Sequence, residues 1–152
     1  MGRAESVALI QAPVETVWNT LNDIAHTPDW VVGLEAADLK TPGNYGLDSI
    51  YYDHNRLGPL PQTTPWRVTA FEPMKRQIHE SKSAVLPSRM ILHLSPSATP
   101  EVTRLQMVVE YRFLPWLGPV SRLLERLVMD RALASVLRQN QANLNVYLAS
   151  RR

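Results

Sequence analysis

Residues 119–149 read PVSRLLERLVMDRALASVLRQNQANLNVYLA, and after Pro119 they contain no glycine or proline. Leucine, alanine, arginine, glutamate and glutamine dominate the stretch, and all of them favour helix. Pro119 suits a first helical turn, where its missing N–H costs no hydrogen bond and its φ is already set. The stretch therefore predicts one helix of roughly 45 Å at a rise of 1.5 Å per residue, about as long as a small domain is wide.

The apolar positions of this predicted helix change face midway. On a helical wheel, Val120, Leu123, Leu124 and Leu127 fall on one side. A face rotated well away from it is formed by Leu133, Val136, Leu137, Leu144, Tyr147 and Leu148. Two buried faces favour a helix that lies diagonally across a curved sheet. Its first half would roof a hollow, and its second half would pack tightly.

Length and composition predict one globular domain, residues 1–152, in the cytoplasm. The chain has 152 residues, of which 45% are hydrophobic, enough for a core that supports itself. No apolar run approaches about eighteen residues and no secretion signal opens the chain, so stable membrane insertion is not expected. Because there are no cysteines, disulfides, thiolate metal sites and cysteine nucleophiles are excluded.

Positive charge concentrates towards the C-terminus, although the net charge is only +2. Residues 115–152 carry six arginines and two acids, whereas residues 1–114 carry ten basic and twelve acidic side chains. The arginines are spread around the predicted helix without an aromatic platform, which favours a solvated face over nucleic-acid binding. We therefore expect no nucleic-acid partner, and a homodimer stays open.

A strand and two short helices precede a strand-rich middle. Glu5–Ile10 predicts a strand, and Pro13–Leu21 predicts a helix with apolar residues at i, i+3, i+4 and i+7. Ile24–Thr27 predicts a second short helix, which Pro28 closes. Alternation and turn residues then predict six strands. Their bounds are Leu34–Lys40, Leu47–Asn55, Trp66–Glu72, Gln77–Ser83, Arg89–Ser95 and Val102–Phe113.

Short connections between these strands predict an antiparallel meander. The last two strands each have one apolar face. These faces consist of Met90, Leu92 and Leu94 on one strand and of Leu105, Met107, Val109, Tyr111 and Phe113 on the next. Methionine thioethers are flexible and adapt to a variable surface, which favours an internal cavity here over a solid core.

The order of strand, two short helices, six strands and one long helix resembles the helix-grip or START-like superfamily, specifically its bacterial polyketide cyclase/dehydrase-type proteins. The resemblance is carried by Ile10–Trp18, Leu21–Ile24, Pro28–Trp30 and Trp66–Pro73, and it covers nearly the whole chain. It implies an α+β fold in which a seven-stranded antiparallel sheet wraps around the C-terminal helix, with two short helices after strand 1. An apolar cavity would then lie between the sheet and the helix.

Residues suited to catalysis are few. The four histidines, His26, His54, His79 and His93, show no metal-ligand spacing, so no metal is expected. Phosphate-cradling glycine loops are also absent, and we expect no cofactor. His79 and Tyr111 are the candidates for proton transfer. The alternative for His79 is a surface position or a core position with its hydrogen bonds satisfied.

An apolar lining with a few polar groups is typical of a small-molecule pocket. The residues predicted to bind the ligand are Trp30, Tyr52, Trp66, Met90, Leu92, Met107, Val109, Tyr111 and Asn140. Each of them could equally fill a solid core. Asn140 shares the second apolar face of the long helix, where its amide requires a ligand or a structural hydrogen bond.

Two segments are candidates for the mouth of the cavity. Leu57–Pro65 contains three prolines and two leucines, which favours a stiff lid, with ordinary loop packing as the alternative. Trp116–Gly118 forms the turn before the long helix and is the other predicted rim.

Three functional hypotheses follow. The first is a binding or carrier protein for a hydrophobic small molecule such as a lipid, an isoprenoid quinone or an aromatic polyketide. The second is a polyketide cyclase/dehydrase-type enzyme that uses the same cavity to fold a reactive chain. The third is a protein-interaction module that uses the sheet or the basic helix.

Overall fold

The structure, a computed structural model, describes residues 2–57 and 59–151. Its strands are β1 Gly2–Ile10, β2 Leu34–Leu39, β3 Ile50–Leu57, β4 Leu60–Glu72, β5 Arg76–Ser81, β6 Ser88–Pro96 and β7 Thr103–Tyr111. Its α-helices are α1 Val14–Asn22, α2 Pro119–Leu124 and α3 Asp130–Ala149. Short 3-10 helices span Ile24–Asp29 and Pro115–Leu117, and a π-helical turn, Glu125–Met129, joins α2 to α3.

The seven strands form one sheet in the order β1-β7-β6-β5-β4-β3-β2, and all its pairs are antiparallel. Strands 2 to 7 follow each other as a meander, and β1 closes the other edge by pairing along β7. The C-terminal helix packs against this sheet. The predicted α+β helix-grip fold is therefore confirmed.

Helix α3 is held against β1 and β7 by one buried amide. The Ser6 hydroxyl donates to Gln141 Oε1 at 2.6 Å, and Gln141 Nε2 donates to the carbonyl oxygens of Ser6 and Leu105 at 3.0 Å each. Buried polar groups are stable only when paired, so these bonds fix the register of the helix on the sheet.

The main core lies between α1, α3 and the β1–β7–β6 side of the sheet. Helix α1 buries Val17, Trp18 and Leu21, the face expected from its apolar spacing. From α3, Leu137 and Leu144 reach the same core. The second half of the long helix therefore packs on the face that the sequence predicts.

The prediction that the first half of the long helix roofs a hollow is wrong. Val120 and Leu127 are 57% and 63% exposed, and the opposite side, with Ser121 and Glu125, is buried instead. The Glu125 carboxyl accepts a hydrogen bond from the Phe113 backbone N–H at 2.7 Å. These polar contacts hold α2 and the π-helical turn against the protein, so the apolar face points outward.

The predicted lid, Leu57–Pro65, is also wrong in its described part, because β4 already begins at Leu60. Residues 60–65 pair with residues 52–57 of β3. Pro61 and Pro65 are tolerated because β5 pairs with β4 only from Arg67 onward, which leaves this part of β4 with one unpaired side. Gly58 lies outside the described residues.

Most element boundaries differ from the sequence prediction by a few residues, and two of the differences have a local backbone cause. The second short helix continues through Pro28 to Asp29 because it is a 3-10 helix rather than an α-helix. Strand β3 begins at Ile50 and not at Leu47, since Asp48 has a φ of 67°, a left-handed conformation that strands do not contain.

Candidate functional site

A cavity of about 110 Å³ lies on the inner face of the sheet, between the sheet, the first 3-10 helix and α3. Strands β3 to β7 form its floor, and the end of α1 and the segment from residue 24 to residue 34 close its side. Its wall consists of Leu21, Ile24, Thr27, Trp30, Val31, Leu34, Tyr51, Asp53, Trp66, His79, Met90, Leu92, Met107 and Asn140.

Six of the nine residues predicted to bind a ligand lie in this wall. They are Trp30, Trp66, Met90, Leu92, Met107 and Asn140. Their role in binding stays a prediction. The Asn140 amide also has the backbone partner that its position requires, because its Oδ1 accepts from the Val32 N–H at 2.8 Å.

The other three predicted residues, Tyr52, Val109 and Tyr111, lie outside the wall. Tyr52 points to the opposite face of β3 from Tyr51, and its ring lies 5.5 Å from the Lys40 ammonium. Val109 packs in the main core without being one of the wall residues. Tyr52 is on the other side of the sheet because adjacent residues of a strand face opposite sides, whereas Val109 and Tyr111 share the inner face of β7 with Met107 without lining the cavity.

Tyr111 instead joins β7 to the start of α3. Its hydroxyl donates to Asp130 Oδ1 at 2.5 Å, and the Glu125 carbonyl lies 3.3 Å away. Burial, followed by the hydrogen bond to Asp130, raises the pKa of the Tyr111 hydroxyl. The side chain is thus engaged in a structural contact and is not among the wall residues of the cavity.

Sequence reasoning missed the polar pair of β3, Tyr51 and Asp53. The strand reads Ile-Tyr-Tyr-Asp-His-Asn, and no apolar alternation shows which set of residues faces inward. A shift by one residue exchanges the two faces completely. The aromatic pair of Tyr51 and Trp66, stacked with ring centroids 6.4 Å apart, comes from pairing with β4 and has no local signal.

His79 lies in the cavity wall within a buried polar network. Tyr51 Oη is 2.5 Å from His79 Nδ1, and His79 Nε2 is 2.7 Å from Gln77 Oε1 and 2.9 Å from Tyr45 Oη. Gln77 Nε2 donates to Asn22 Oδ1 at 2.8 Å, so Gln77 Oε1 faces the ring as an acceptor. The bonds are all satisfied when Nε2 carries the proton and Nδ1 accepts from Tyr51.

This network favours a neutral imidazole. Burial lowers the pKa of His79 to about 4. The pKa of Tyr51 lies well above its ordinary value because of burial first, and then because of neighbouring Asp53 and Tyr45. At neutral pH the pair is therefore uncharged, with the Tyr51 hydroxyl held against His79 Nδ1.

Asp53 is the one carboxyl among the wall residues. Burial raises its pKa to about 7, against the opposing effects of His54 and of a hydrogen bond from Trp66. Its Oδ1 has no hydrogen-bond partner among the described residues, and neither has the Trp30 indole N–H. Buried polar atoms are rarely left unpaired, so these two wall residues offer one unpaired acceptor and one unpaired donor.

The second predicted rim is not part of the cavity, because Trp116, Leu117 and Gly118 are absent from its wall. Within residues 2–57 and 59–151, no three side chains of histidine, aspartate or glutamate form a group that could hold a metal ion. None of the helices in the described parts of the chain has the length and apolarity needed to cross a membrane.

A seven-stranded antiparallel sheet that grips a C-terminal helix, with a small and largely apolar cavity between them, places the protein in the helix-grip class. The chain belongs to the family described as polyketide cyclase / dehydrase and lipid transport, whose sequence profile matches residues 1–149. No curated protein sequence matches it.

Several solved structures share this fold. The di-domain aromatase/cyclase BexL of the BE-7585A biosynthetic pathway aligns with a TM-score of 0.76 at 18% identity, over 100% of this chain and 48% of BexL. The chain thus spans about half of that protein. Zhui aromatase/cyclase from Streptomyces sp. R1128 aligns with a TM-score of 0.68 at 15% identity, over 93% and 92% of the two chains. TTHA0849 from Thermus thermophilus aligns with a TM-score of 0.70 at 15% identity, over 95% of this chain and 98% of TTHA0849.

Proposed function

We propose that this chain acts in the cytoplasm as one ligand-binding domain that holds a hydrophobic small molecule in the cavity under α3. The observation that carries the proposal is the cavity itself, since a well-packed core leaves few voids larger than a water molecule. Membership of a family described by polyketide and lipid chemistry supports it.

The volume of the cavity limits the size of the ligand that it can hold. Drug-sized ligands occupy pockets of about 300–1,000 Å³, whereas a dry cavity of about 150 Å³ accepts a benzene molecule. A volume of about 110 Å³ therefore suits one aromatic ring, or the end of a longer isoprenoid or acyl chain. A polyketide of several rings would need movement of the segment from residue 24 to residue 34.

The composition of the wall agrees with a ring that bears one polar substituent. Met90, Leu92 and Met107 offer apolar contacts from adjacent strands. Two other wall residues have unpaired polar atoms, an acceptor on Asp53 and a donor on Trp30. A ligand hydroxyl could donate to Asp53 or accept from Trp30, and a ligand carbonyl could accept from Trp30, which would satisfy groups that otherwise cost free energy when buried.

A cyclase/dehydrase-type enzyme is the second candidate, and Asp53 is the observation that favours it. A carboxyl with a pKa of about 7 can take up or release a proton at neutral pH, which is the requirement for a general acid or base. Tyr51 and His79 would position the substrate. If this candidate is right, Asp53→Asn should abolish loss of water from a polyketide substrate while an apolar probe still binds.

Met107→Trp tests whether the cavity holds a ligand. The indole would occupy space that the ligand uses, so we expect weaker binding of an apolar fluorescent probe and little loss of stability, because a void accepts volume that a packed core does not. Probe titration and urea unfolding should be measured on both proteins. Native mass spectrometry of the purified wild type should also show a bound small molecule.

Leu105→Trp is the matched control for this test. Leu105 lies on the same strand and the same face as Met107, is fully buried and is outside the cavity wall. Overpacking there should cost about 1–3 kcal/mol. If both substitutions cost the same stability and the wild type binds no probe, the cavity does not serve as a ligand site.

A further inference from the structure

A cluster of exposed apolar side chains lies on the connection between β7 and α3. Seven large apolar side chains of this connection are exposed, and we call them the docking face. Trp116 is the most exposed of them at 64%. The seven are Trp116, Leu117, Val120, Leu123, Leu124, Leu127 and Val128. Single exposed apolar residues are ordinary, but a contiguous group of this kind marks an interaction site.

Buried polar contacts on the opposite side of the segment hold this face outward. Ser121 and Glu125, four residues apart and hence on one side of the segment, are buried. The Ser121 hydroxyl donates to the Phe113 carbonyl, and the Phe113 N–H donates to Glu125 Oε2 at 2.7 Å. Apolar side chains usually prefer burial and polar side chains prefer exposure. This segment does the opposite, because its leucines are exposed while Ser121 and Glu125 are buried.

The docking face has a basic border. Arg122 and Arg126 are exposed and follow each other along one side of the segment. The two acids nearby are engaged towards the protein. Glu125 is bound to Phe113, and Asp130 accepts from the Tyr111 hydroxyl and from the Arg3 backbone N–H. The cationic side chains of this border are therefore exposed to solvent, whereas the two acids are turned towards the protein.

We propose that the docking face, residues 116–128, binds the surface of an anionic lipid bilayer. Trp116 and the exposed leucines enter the boundary between headgroups and acyl chains, and Arg122 and Arg126 contact lipid phosphates. Apolar residues with tryptophan on one face and basic residues beside them are what an interfacial helix requires. The segment lies on the membrane and does not cross it.

Charge favours this occupant over a second copy of the chain. A dimer formed through the same face on both subunits would place the arginines of each copy near those of the other, whereas an anionic bilayer supplies the opposite charge. The proposal is also independent of the cavity, because none of the residues 116–128 lies in the cavity wall.

The test is co-sedimentation of the full chain with vesicles of phosphatidylcholine mixed with phosphatidylglycerol, and with vesicles of phosphatidylcholine alone. We expect binding to the mixed vesicles that weakens as salt rises, together with a blue shift of Trp116 fluorescence that Trp116→Phe removes. The double variant Leu123→Glu, Leu127→Glu should lose at least about tenfold in vesicle affinity. Arg122→Gln with Arg126→Gln should lose about tenfold on the mixed vesicles only.

Val7→Glu with Leu9→Glu is the matched control. Both residues are exposed apolar side chains on the outer face of β1, so the same charge change is made away from the docking face and should leave vesicle binding unchanged. Absence of vesicle binding, or binding that Leu123→Glu, Leu127→Glu leaves intact, would overturn the proposal. So would a wild-type dimer that this double variant converts to a monomer without any binding to vesicles.

Discussion

At pH values above about 7, Asp53→Asn should increase the free energy of unfolding by up to about 4 kcal/mol. The carboxyl has a folded pKa of about 7 against an ordinary value of 3.8, mainly because burial disfavours its charge. Above pH 7 the wild type folds with this ionised group in a poorly solvated wall. The neutral amide of asparagine removes that cost at nearly the same size.

The stability that Asp53→Asn gains over the wild type should become smaller at lower pH, because folding raises the pKa of Asp53. Between about pH 4 and 7 the folded state binds a proton that the unfolded state has released, so wild-type stability falls as pH rises through this range. At about pH 5 the folded carboxyl is already neutral, and the advantage of Asp53→Asn should be about 2–3 kcal/mol smaller than at pH 8.

His79 has the opposite pH dependence, which sharpens the test. Its folded pKa of about 4 lies below the ordinary 6.5, so its contribution is lost as pH falls from about 6.5 to 4. The Tyr51 and Tyr45 hydroxyls and the Gln77 amide that face the ring are uncharged. In the wild type the opposite effects of Asp53 and His79 on the free energy of unfolding offset each other as pH falls. Without the Asp53 effect, the free energy of unfolding of Asp53→Asn should fall by up to about 3 kcal/mol on acidification across that window.

Urea unfolding at about pH 5 and at about pH 8 measures both effects. Asp29→Asn is the control, because the same change is made on an exposed carboxyl and should stay within about 0.5 kcal/mol at either pH. An equal effect of Asp53→Asn at the two pH values would contradict the burial of its charge. A carboxyl that lowers stability in a cavity wall points to a functional use.

Trp18→Ala should cost about 3–5 kcal/mol, the range for removing a large aromatic side chain from a core. Trp18 is 3% exposed, and its ring lies 5.1 Å from that of Phe71, centroid to centroid. It joins α1 to the sheet, and a methyl group in its place leaves a void that rigid neighbouring strands cannot fill.

Thermal and urea unfolding of Trp18→Ala measure this loss, which corresponds to a fall in Tm on the order of 10 °C for a chain of this length. Asn19→Ala changes the next residue of the same helix, which is exposed, and should alter stability by no more than about 0.5 kcal/mol. An unchanged midpoint for Trp18→Ala would show that α1 is not anchored through this ring.

Local patterns were sufficient for the elements and for most of the topology. The i, i+3, i+4, i+7 spacing of Val14–Leu21 identified α1 and the face that it buries. Alternating residues and turn signals located all seven strands, except for the first half of β4, and short connections implied their antiparallel order. These features depend on neighbours a few residues apart, so the sequence contains the physical information that decides them.

Local patterns failed where two arrangements satisfy them equally well. A chain with three prolines between residues 57 and 65 is a loop by composition, and only a free edge on β4 allows it to be a strand. Leu123 and Leu127 have the spacing of a buried face. Whether they are buried depends on the polar anchors Ser121 and Glu125, whose partner at Phe113 is fixed by the end of β7.

By itself the sequence determined the helices, the strands, the helix-grip order and the apolar faces of β6 and β7, because periodicity and turn chemistry act within one element. Only the tertiary structure decided that Tyr51 and Asp53, not Tyr52, face the cavity. In β3 both faces carry polar or aromatic groups, so its orientation follows from pairing with Trp66 and β2 across the sheet. Such long-range pairing leaves no local trace in the chain.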